Sequence, residues 1–115
     1  MEKEFVPYEL SLELKQLGMD LGWYNYLNFY DSSTKEFCFV MKDVPAPLYQ
    51  QAFRWFREKY DLFCYVELVG DRLFDYMIIS DFVEEEIDYE DGPFNTHEEA
   101  ELACLKKLIE IVKTK

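Results

Sequence analysis

Three segments of this chain carry apolar residues at helical spacing, and the two stretches between them alternate in the manner of strands. In the first segment Leu10, Leu14 and Leu17 lie at i, i+4 and i+7, which places them on one face of a helix. Pro7 suits the first turn of a helix, and Gly18 suits the residue just past its end. We therefore expect a first helix over residues 7–18.

The other two helical segments have stronger patterns. A broad aromatic stripe predicts a second helix that begins at Pro47 and runs to about Tyr60. The third segment opens with a capping box, in which Thr96 is the N-cap and Glu99 reaches back to it, and continues with a wide apolar face. These signals predict a third helix over His97–Lys113.

A first hairpin is expected between the first two helices. Aromatic residues and period-two alternation over Trp23–Tyr30 favour a strand, and Phe37–Met41 favours its returning partner after a polar loop at 31–36. The segment 43–47 contains two prolines, which lack the N–H that a central strand needs. We expect no central strand there.

A second hairpin is expected between the last two helices, over Leu62–Val69 and Arg72–Ser80. Gly70-Asp71 suits a two-residue turn with glycine first. That turn determines the register, because a slip of one residue exchanges the two faces of the strand. The expected pairs are Leu68 with Leu73, Val66 with Asp75, Cys64 with Met77, Leu62 with Ile79, and, on the other face, Tyr65 with Tyr76.

The order of these elements predicts an α+β fold, helix–hairpin–helix–hairpin–helix. The simplest packing is a four-stranded, mainly antiparallel sheet with the helices packed on one face. A chain of 115 residues is expected to form a single domain, residues 1–115. We expect the cysteine-bearing face of the second hairpin to be buried and the tyrosine-bearing faces to form an open side of the sheet.

The charge of the chain is distributed very unevenly. Between Arg72 and Lys106 there is no lysine or arginine, whereas there are eleven acidic residues. The remaining residues hold 13 acids against 12 bases, so nearly all of the net charge of −12 belongs to this block. Such a negative field disfavours binding to nucleic-acid phosphates and is compatible with a basic protein partner.

The cysteines Cys38, Cys64 and Cys104 all lie in apolar segments, and none is in a CxxC spacing. No signal-peptide pattern is present at the start, and no run approaches the roughly 20 apolar residues that cross a bilayer. We therefore expect a cytoplasmic protein with free, buried thiols, and neither a redox pair nor a thiolate metal site.

Two helical segments resemble a known group of proteins. They are Gln51-Ala-Phe-Arg-Trp-Phe-Arg-Glu-Lys-Tyr60 and Glu98-Glu-Ala-Glu-Leu-Ala-Cys-Leu-Lys-Lys-Leu-Ile-Glu-Ile-Val-Lys113. Both are similar to small uncharacterised proteins encoded in phage, prophage and related mobile regions of bacterial genomes, a domain of unknown function. The resemblance implies an accessory protein, and it carries no activity, cofactor or site residue to this chain.

Catalytic and cofactor motifs are poorly represented. The chain has one histidine, His97, at the start of a helix, and its four glycines form neither GxGxxG nor GxxxxGK[ST]. Glu86, Asp88 and Glu90 alternate like calcium ligands, but Asp91 occupies the position where an EF-hand needs glycine. We predict an acidic loop over residues 81–93, and we predict no enzyme activity, no cofactor and no built metal site, with weak calcium binding by this loop left open.

Asp75 is the one polar residue on an apolar strand face in the expected register. A buried carboxylate without a partner is costly and marks a candidate functional site. With Arg54 and Arg57 it would supply polar groups to a small-ligand pocket. The alternative is that Asp75 lies at the sheet margin or forms an ion pair with one of these arginines.

Two residue sets are candidates for an interaction surface. Tyrosine combines large area with a hydroxyl and is enriched in interfaces, although burial of the rings under a third layer or the second helix is an equal alternative. The acidic loop is the second set, because carboxylates spaced like phosphates would mimic a nucleic acid. The two sets are Tyr24, Tyr26, Tyr30, Tyr65 and Tyr76, and Glu84, Glu85, Glu86, Asp88 and Glu90.

Three functional hypotheses follow. The first is a small acidic, non-enzymatic protein–protein interaction module with an unknown, basic protein partner or a second copy of itself. The alternatives are an acidic, nucleic-acid-mimicking inhibitor of a basic host protein, and a small-ligand binder. No nucleic-acid or membrane partner is expected.

Overall fold

The computed structural model describes residues 4–22, 25–80, 85–87 and 93–114. Contacts divide the chain into two compact units, residues 1–51 and 52–115, and each unit is described by itself. The prediction of a single domain stays a prediction. In chain order the elements are α1 (Tyr8–Gln16), β1 (Asn28–Tyr30), β2 (Phe37–Cys38), β3 (Val44–Ala46), α2 (Tyr49–Tyr60), β4 (Leu62–Gly70), β5 (Leu73–Ser80), β6 (Glu85–Ile87) and α3 (His97–Lys113).

Helix α1 confirms the first predicted helix. Pro7 is extended and directly precedes it, and Leu10 and Leu14 are buried on its inner face. The last turn closes when the Met19 N–H donates to the Leu14 carbonyl at 3.0 Å. Gly18 has φ 96°, a left-handed conformation that glycine adopts without the steric penalty of a side chain.

The first unit holds an antiparallel sheet of order β2-β1-β3. Phe29, in the central strand, pairs with Cys38 on one side and with Pro45 on the other. Pro45 thus occupies an edge strand, where the missing N–H is tolerated, and the exclusion of a central strand at 43–47 is confirmed. The predicted hairpin is correctly placed, but both of its strands are much shorter than expected.

The first strand is short because the chain before it makes local hydrogen bonds instead of a ladder. The Leu21 N–H donates to the Tyr26 hydroxyl at 3.1 Å, and the Asn25 side-chain amide donates to the Leu21 carbonyl. The Gly22 N–H donates to Asp20 Oδ1 at 2.9 Å. Such local bonds compete directly with strand pairing.

The core of the first unit is built around the Val6 carbonyl. The Ser11 hydroxyl donates to this oxygen at 3.0 Å and the Tyr30 hydroxyl donates to it at 2.8 Å, so helix α1 and strand β1 share one acceptor. The Val6 N–H donates to the Pro47 carbonyl at 2.8 Å. The unit also contains a buried apolar cluster, which consists of Phe5, Tyr30, Val44 and Ala46, with Tyr8, Leu12, Phe37 and Leu48 packed against it.

The second unit packs helix α3 against an antiparallel sheet of order β4-β5-β6. Helix α3 confirms the third predicted helix, and α2 begins two residues later than predicted and ends at Tyr60 as expected. The Phe74 N–H donates to the Phe94 carbonyl at 2.9 Å, and Phe94 returns the bond at 2.7 Å. This pair of hydrogen bonds attaches the chain just before α3 to β5, the central strand of the sheet.

The register of the second hairpin corrects the prediction. Gly70 pairs with Leu73, so the turn residues are Asp71 and Arg72, and a bulge between Leu68 and Gly70 adds one residue to β4. Below the bulge Val66 pairs with Tyr76, Cys64 with Ile78 and Leu62 with Ser80, whereas Glu67 pairs with Asp75 and Tyr65 with Met77. Every predicted pair is therefore off by one residue.

The physical reason for the observed register is the cost of burying a carboxylate. The face that contacts α3 now holds Leu62, Tyr76 and Ile78, exposed by only 1%, 2% and 0%. The predicted register would have placed Asp75 on that face without a partner, which is strongly unfavourable. Cys64 stays on the inner face as expected. Its neighbours there on β5 are Tyr76 and Ile78 instead of the predicted Met77.

The predicted four-stranded sheet and its helix–hairpin–helix–hairpin–helix arrangement are wrong. The chain is α+β, but its strands form two separate small antiparallel sheets, one in each unit. Two features of the sequence account for the difference. β3, which contains Pro45, completes the first sheet as an edge strand, and Glu85–Ile87, which we expected to be loop, pairs with β5 as β6.

The N-cap of α3 gives a direct stability test. Thr96 Oγ1 accepts the Glu99 N–H at 3.1 Å, and Glu99 reaches back to the Asn95 N–H at 3.3 Å. We expect Thr96→Ala to lower the free energy of unfolding by about 1 kcal/mol, because a helix-end N–H loses its acceptor. The measurement is urea unfolding followed by circular dichroism. Thr114→Ala, which alters the exposed last turn, is the matched control and should change little.

Candidate functional site

The first unit carries a continuous run of exposed apolar side chains. Phe39, Val40 and Met41 follow β2 directly and are 78%, 68% and 61% exposed. Leu27, one residue before β1, is 64% exposed. We call these four residues the apolar patch.

The members of the apolar patch lie at one end of the first sheet. Phe29 pairs with Cys38, and the Asn28 side chain donates to the Cys38 carbonyl at 3.3 Å, so the residues before β1 and after β2 meet there. Single exposed apolar residues are ordinary, but a contiguous group of large ones marks an interaction site. No sequence signal distinguished this run from a strand, because Phe37–Met41 has the composition of one.

The five candidate tyrosines do not share an open face. Tyr26, Tyr30 and Tyr76 are buried, with 7%, 8% and 2% exposure, whereas Tyr65 is 44% exposed. In the second hairpin Tyr65 and Tyr76 lie on opposite faces, because Tyr65 pairs with Met77 and Tyr76 with Val66. Burial also raises the pKa of the Tyr26 hydroxyl. Tyr24 lies outside the described residues.

The acidic candidates fall mostly outside the described part of the chain. Glu84, Asp88 and Glu90 belong to the segments that the structure does not describe. Glu85 and Glu86 lie in β6, where they pair with Ser80 and Ile79. The proposal of nucleic-acid mimicry therefore remains a prediction from the sequence alone.

Asp75 is not the buried carboxylate that the predicted register implied. It is half-buried on the outer face, opposite Glu67, and its Oδ1 accepts the Tyr76 N–H at 2.8 Å. Arg54 is paired with Glu58 at 2.9 Å on the exposed side of α2. The expected meeting of Asp75 with Arg54 as a ligand pocket has no support in these contacts.

The first unit also contains a small recess between α1 and β3. Its lining includes Ser11, Lys15 and Tyr26, and the space that a water-sized molecule can occupy is about 10 Å³. Pockets for drug-sized ligands span roughly 300–1,000 Å³. The recess is therefore too small to hold such a ligand.

The second unit brings several titratable side chains together along one line of α3. His97, Glu101 and Cys104 lie at i, i+4 and i+7. His97 Nδ1 is 3.2 Å from Glu101 Oε1, and the His97 ring meets the edge of the Phe74 ring at 5.7 Å. Burial raises the pKa of the Glu101 carboxyl, and the neighbouring His97 opposes that shift.

The last of these three residues, Cys104, lies next to a second thiol, that of Cys64. The Cys104 thiol, which is fully buried, hydrogen-bonds with Cys64 of β4, and this bond lowers the pKa of Cys64. Burial opposes that change, and the positive charge of Arg57 on α2 reinforces it. The same hydrogen bond, together with burial, raises the pKa of Cys104 far above its usual range. Sequence spacing gave no sign of this pair, because its members come from different elements.

The described ranges lack two further kinds of feature. They contain no group of three or more His, Cys, Asp or Glu side chains arranged to hold a metal ion. None of the helices in these ranges is long and apolar enough to cross a membrane.

Comparison with known proteins supplies no relative for this fold. No protein-family model, no curated protein and no solved structure matches the chain.

Proposed function

We propose that this chain is a non-enzymatic protein–protein interaction module that binds a basic protein partner in the cytoplasm through the apolar patch. The observation that carries the proposal is the exposure of three consecutive large apolar residues, Phe39, Val40 and Met41. Holding such side chains in water forgoes roughly 25 cal/mol for each Å² of apolar surface left unburied. A partner that covers them would recover that free energy.

The charge of the chain favours a basic partner over a second copy. Each molecule carries a net charge of −12, so two copies repel one another at long range. A basic protein would instead be attracted and would approach faster at low ionic strength. Self-association is therefore an outcome that the experiment must distinguish, and it is not the function proposed.

The test compares two variants as bait in a lysate of the source cells. Phe39→Ser/Met41→Ser removes two members of the patch, and Leu68→Ser/Val69→Ser removes two exposed apolar residues of the second hairpin. We expect a basic protein to be captured by the wild type and the hairpin variant and to be lost with the patch variant. With the purified partner, calorimetry should show at least about a tenfold weaker Kd for the patch variant, close to 1.4 kcal/mol.

Folding and self-association are controlled separately. Because Phe39 and Met41 are exposed, their replacement should change the free energy of unfolding by no more than about 0.5 kcal/mol. Light scattering at low and high salt reports the oligomeric state. Patch-dependent dimers, capture that depends on the hairpin variant instead, or no capture by the wild type would each overturn the proposal.

A further inference from the structure

Cys64 and Cys104 are far apart in the chain, yet they meet inside the second unit. Cys64 pairs with Ile78 on the face of the hairpin that contacts α3, and Cys104 lies on the buried face of that helix. Helix α3 packs against β4, and the two thiols lie close enough for each to shift the pKa of the other. Cys64 is half-buried and Cys104 is wholly buried, so Cys64 is the more accessible residue of the two.

We propose that Cys64 and Cys104 form a reversible intramolecular disulfide on reaction with a hydroperoxide, with Cys64 as the attacking sulfur and Cys104 as the resolving one. This inference is independent of the apolar patch and of any partner bound there. The chemical class of the substrate is a small peroxide, such as hydrogen peroxide, that fits beside a half-buried strand.

The surroundings of Cys64 support its role as the attacking sulfur. The groups that face it are the Cys104 thiol from α3, the Arg57 guanidinium from α2, and the uncharged Ile78 from β5. A donated hydrogen bond and a nearby positive charge both stabilise a thiolate, which is the nucleophilic form of cysteine. The pKa of Cys104 is raised by its hydrogen bond with Cys64 and by burial, with a smaller contribution from Glu101, so Cys104 keeps its proton while Cys64 reacts.

The reaction proceeds in two balanced steps. The Cys64 thiolate attacks one peroxide oxygen, the O–O bond breaks, and the other oxygen leaves with a proton as water or an alcohol, which gives a Cys64 sulfenic acid. The Cys104 sulfur then attacks the Cys64 sulfur, the S–S bond forms, and the S–O bond breaks with release of water. The two sulfurs together lose two electrons, and the peroxide gains them.

The third cysteine does not belong to this arrangement. Cys38 lies in the first unit, where its Sγ donates to the Glu36 carbonyl at 3.4 Å. It therefore serves as an internal control, because a disulfide produced by indiscriminate oxidation would include it.

The experiment treats the reduced full-length protein with hydrogen peroxide and maps its peptides without reduction. We expect a Cys64–Cys104 linked peptide in the monomer, a mass loss of about 2 Da, and recovery of both thiols with dithiothreitol. A thiol count under denaturing conditions should fall from three to one. This mapping uses the wild-type chain, so it does not depend on whether a cysteine variant folds.

Four variants then test the separate roles of the cysteines and of Arg57. Cys104→Ala should leave a Cys64 sulfenic acid that a dimedone probe labels, whereas Cys38→Ser should form the disulfide as the wild type does. Arg57→Gln should raise the pH midpoint of Cys64 alkylation and slow the peroxide reaction at pH 7 by about threefold or more, because a stabilising positive charge is lost. Arg54→Gln, one turn earlier on the exposed side of α2, is its matched control and should react like the wild type.

Four outcomes would overturn the proposal. They are three free thiols after peroxide treatment, a disulfide that contains Cys38, a disulfide between two chains, and an equal effect of the Arg57 and Arg54 variants.

Discussion

Ile78→Asn should lower the free energy of unfolding by about 4–6 kcal/mol, whereas Ile79→Asn, the same change one residue later, should lower it by about 1–2 kcal/mol. Ile78 is 0% exposed on the face that contacts α3, and Ile79 is only half-buried on the other face. The first change removes a fully buried side chain and leaves an amide without partners in the core. The second affects a side chain that already contacts solvent.

This pair of variants distinguishes the two registers of the second hairpin. Cys64 pairs with Ile78 in the structure, whereas a turn at Gly70-Asp71 would place Ile79 on the inner face. The measurement is urea unfolding at neutral pH, with Ile78→Val as a mild control that should lower the free energy of unfolding by about 0.5–1.5 kcal/mol. Equal losses for the two asparagine variants, or a larger loss for Ile79→Asn, would contradict the observed register.

The second large effect is expected at the Val6 carbonyl. Ser11→Ala and Tyr30→Phe should each lower the free energy of unfolding by about 1 kcal/mol, the usual net value of one hydrogen bond. The double variant should lower it by about 3 kcal/mol, which is more than the sum. In either single variant the carbonyl keeps the other hydroxyl, but in the double variant a carbonyl on a residue that is 0% exposed loses both.

A double-mutant cycle by urea unfolding measures this coupling. Tyr8→Phe is the matched control, because the Tyr8 ring packs edge-on against Tyr30 at 5.7 Å and only its hydroxyl is removed. It should change the free energy of unfolding by less than about 0.5 kcal/mol. Strict additivity of the Ser11 and Tyr30 variants would show that the two hydroxyls do not depend on a shared acceptor.

The Tyr30 and Cys64 positions illustrate how far the sequence predicts the candidate sites. Tyrosine is typical of interfaces, but the Tyr30 hydroxyl donates to the buried carbonyl of Val6, which lies 24 positions earlier in the chain. Cys64 lacks a CxxC partner, so its spacing predicts a free thiol outside any redox pair, yet a helix from the far end of the chain brings Cys104 to it. Neither contact has a signature in local spacing, because both depend on which elements pack together.

The sequence did not predict the apolar patch, for a related reason. Phe37–Met41 has the alternation and aromatic content of a strand, so its residues were expected to pair. The structure ends β2 at Cys38, and the residues that follow are left in solvent. Strand length depends on the partner strand, and β1 is only three residues long because the chain before it makes local hydrogen bonds.

The sequence by itself determined the three helices, the polar turn at 31–36 and the cap at Thr96, because helix periods, caps and turns depend on residues within a few positions of each other. Tertiary structure alone decided the division into two sheets, the pairing of β3 and β6, and the register of β4 with β5. Those features depend on which long-range packing leaves the fewest polar groups buried without partners. The one-residue shift that moves Asp75 outward and brings Ile78 inward is the clearest instance, since both registers satisfy the local pattern and only the core distinguishes them.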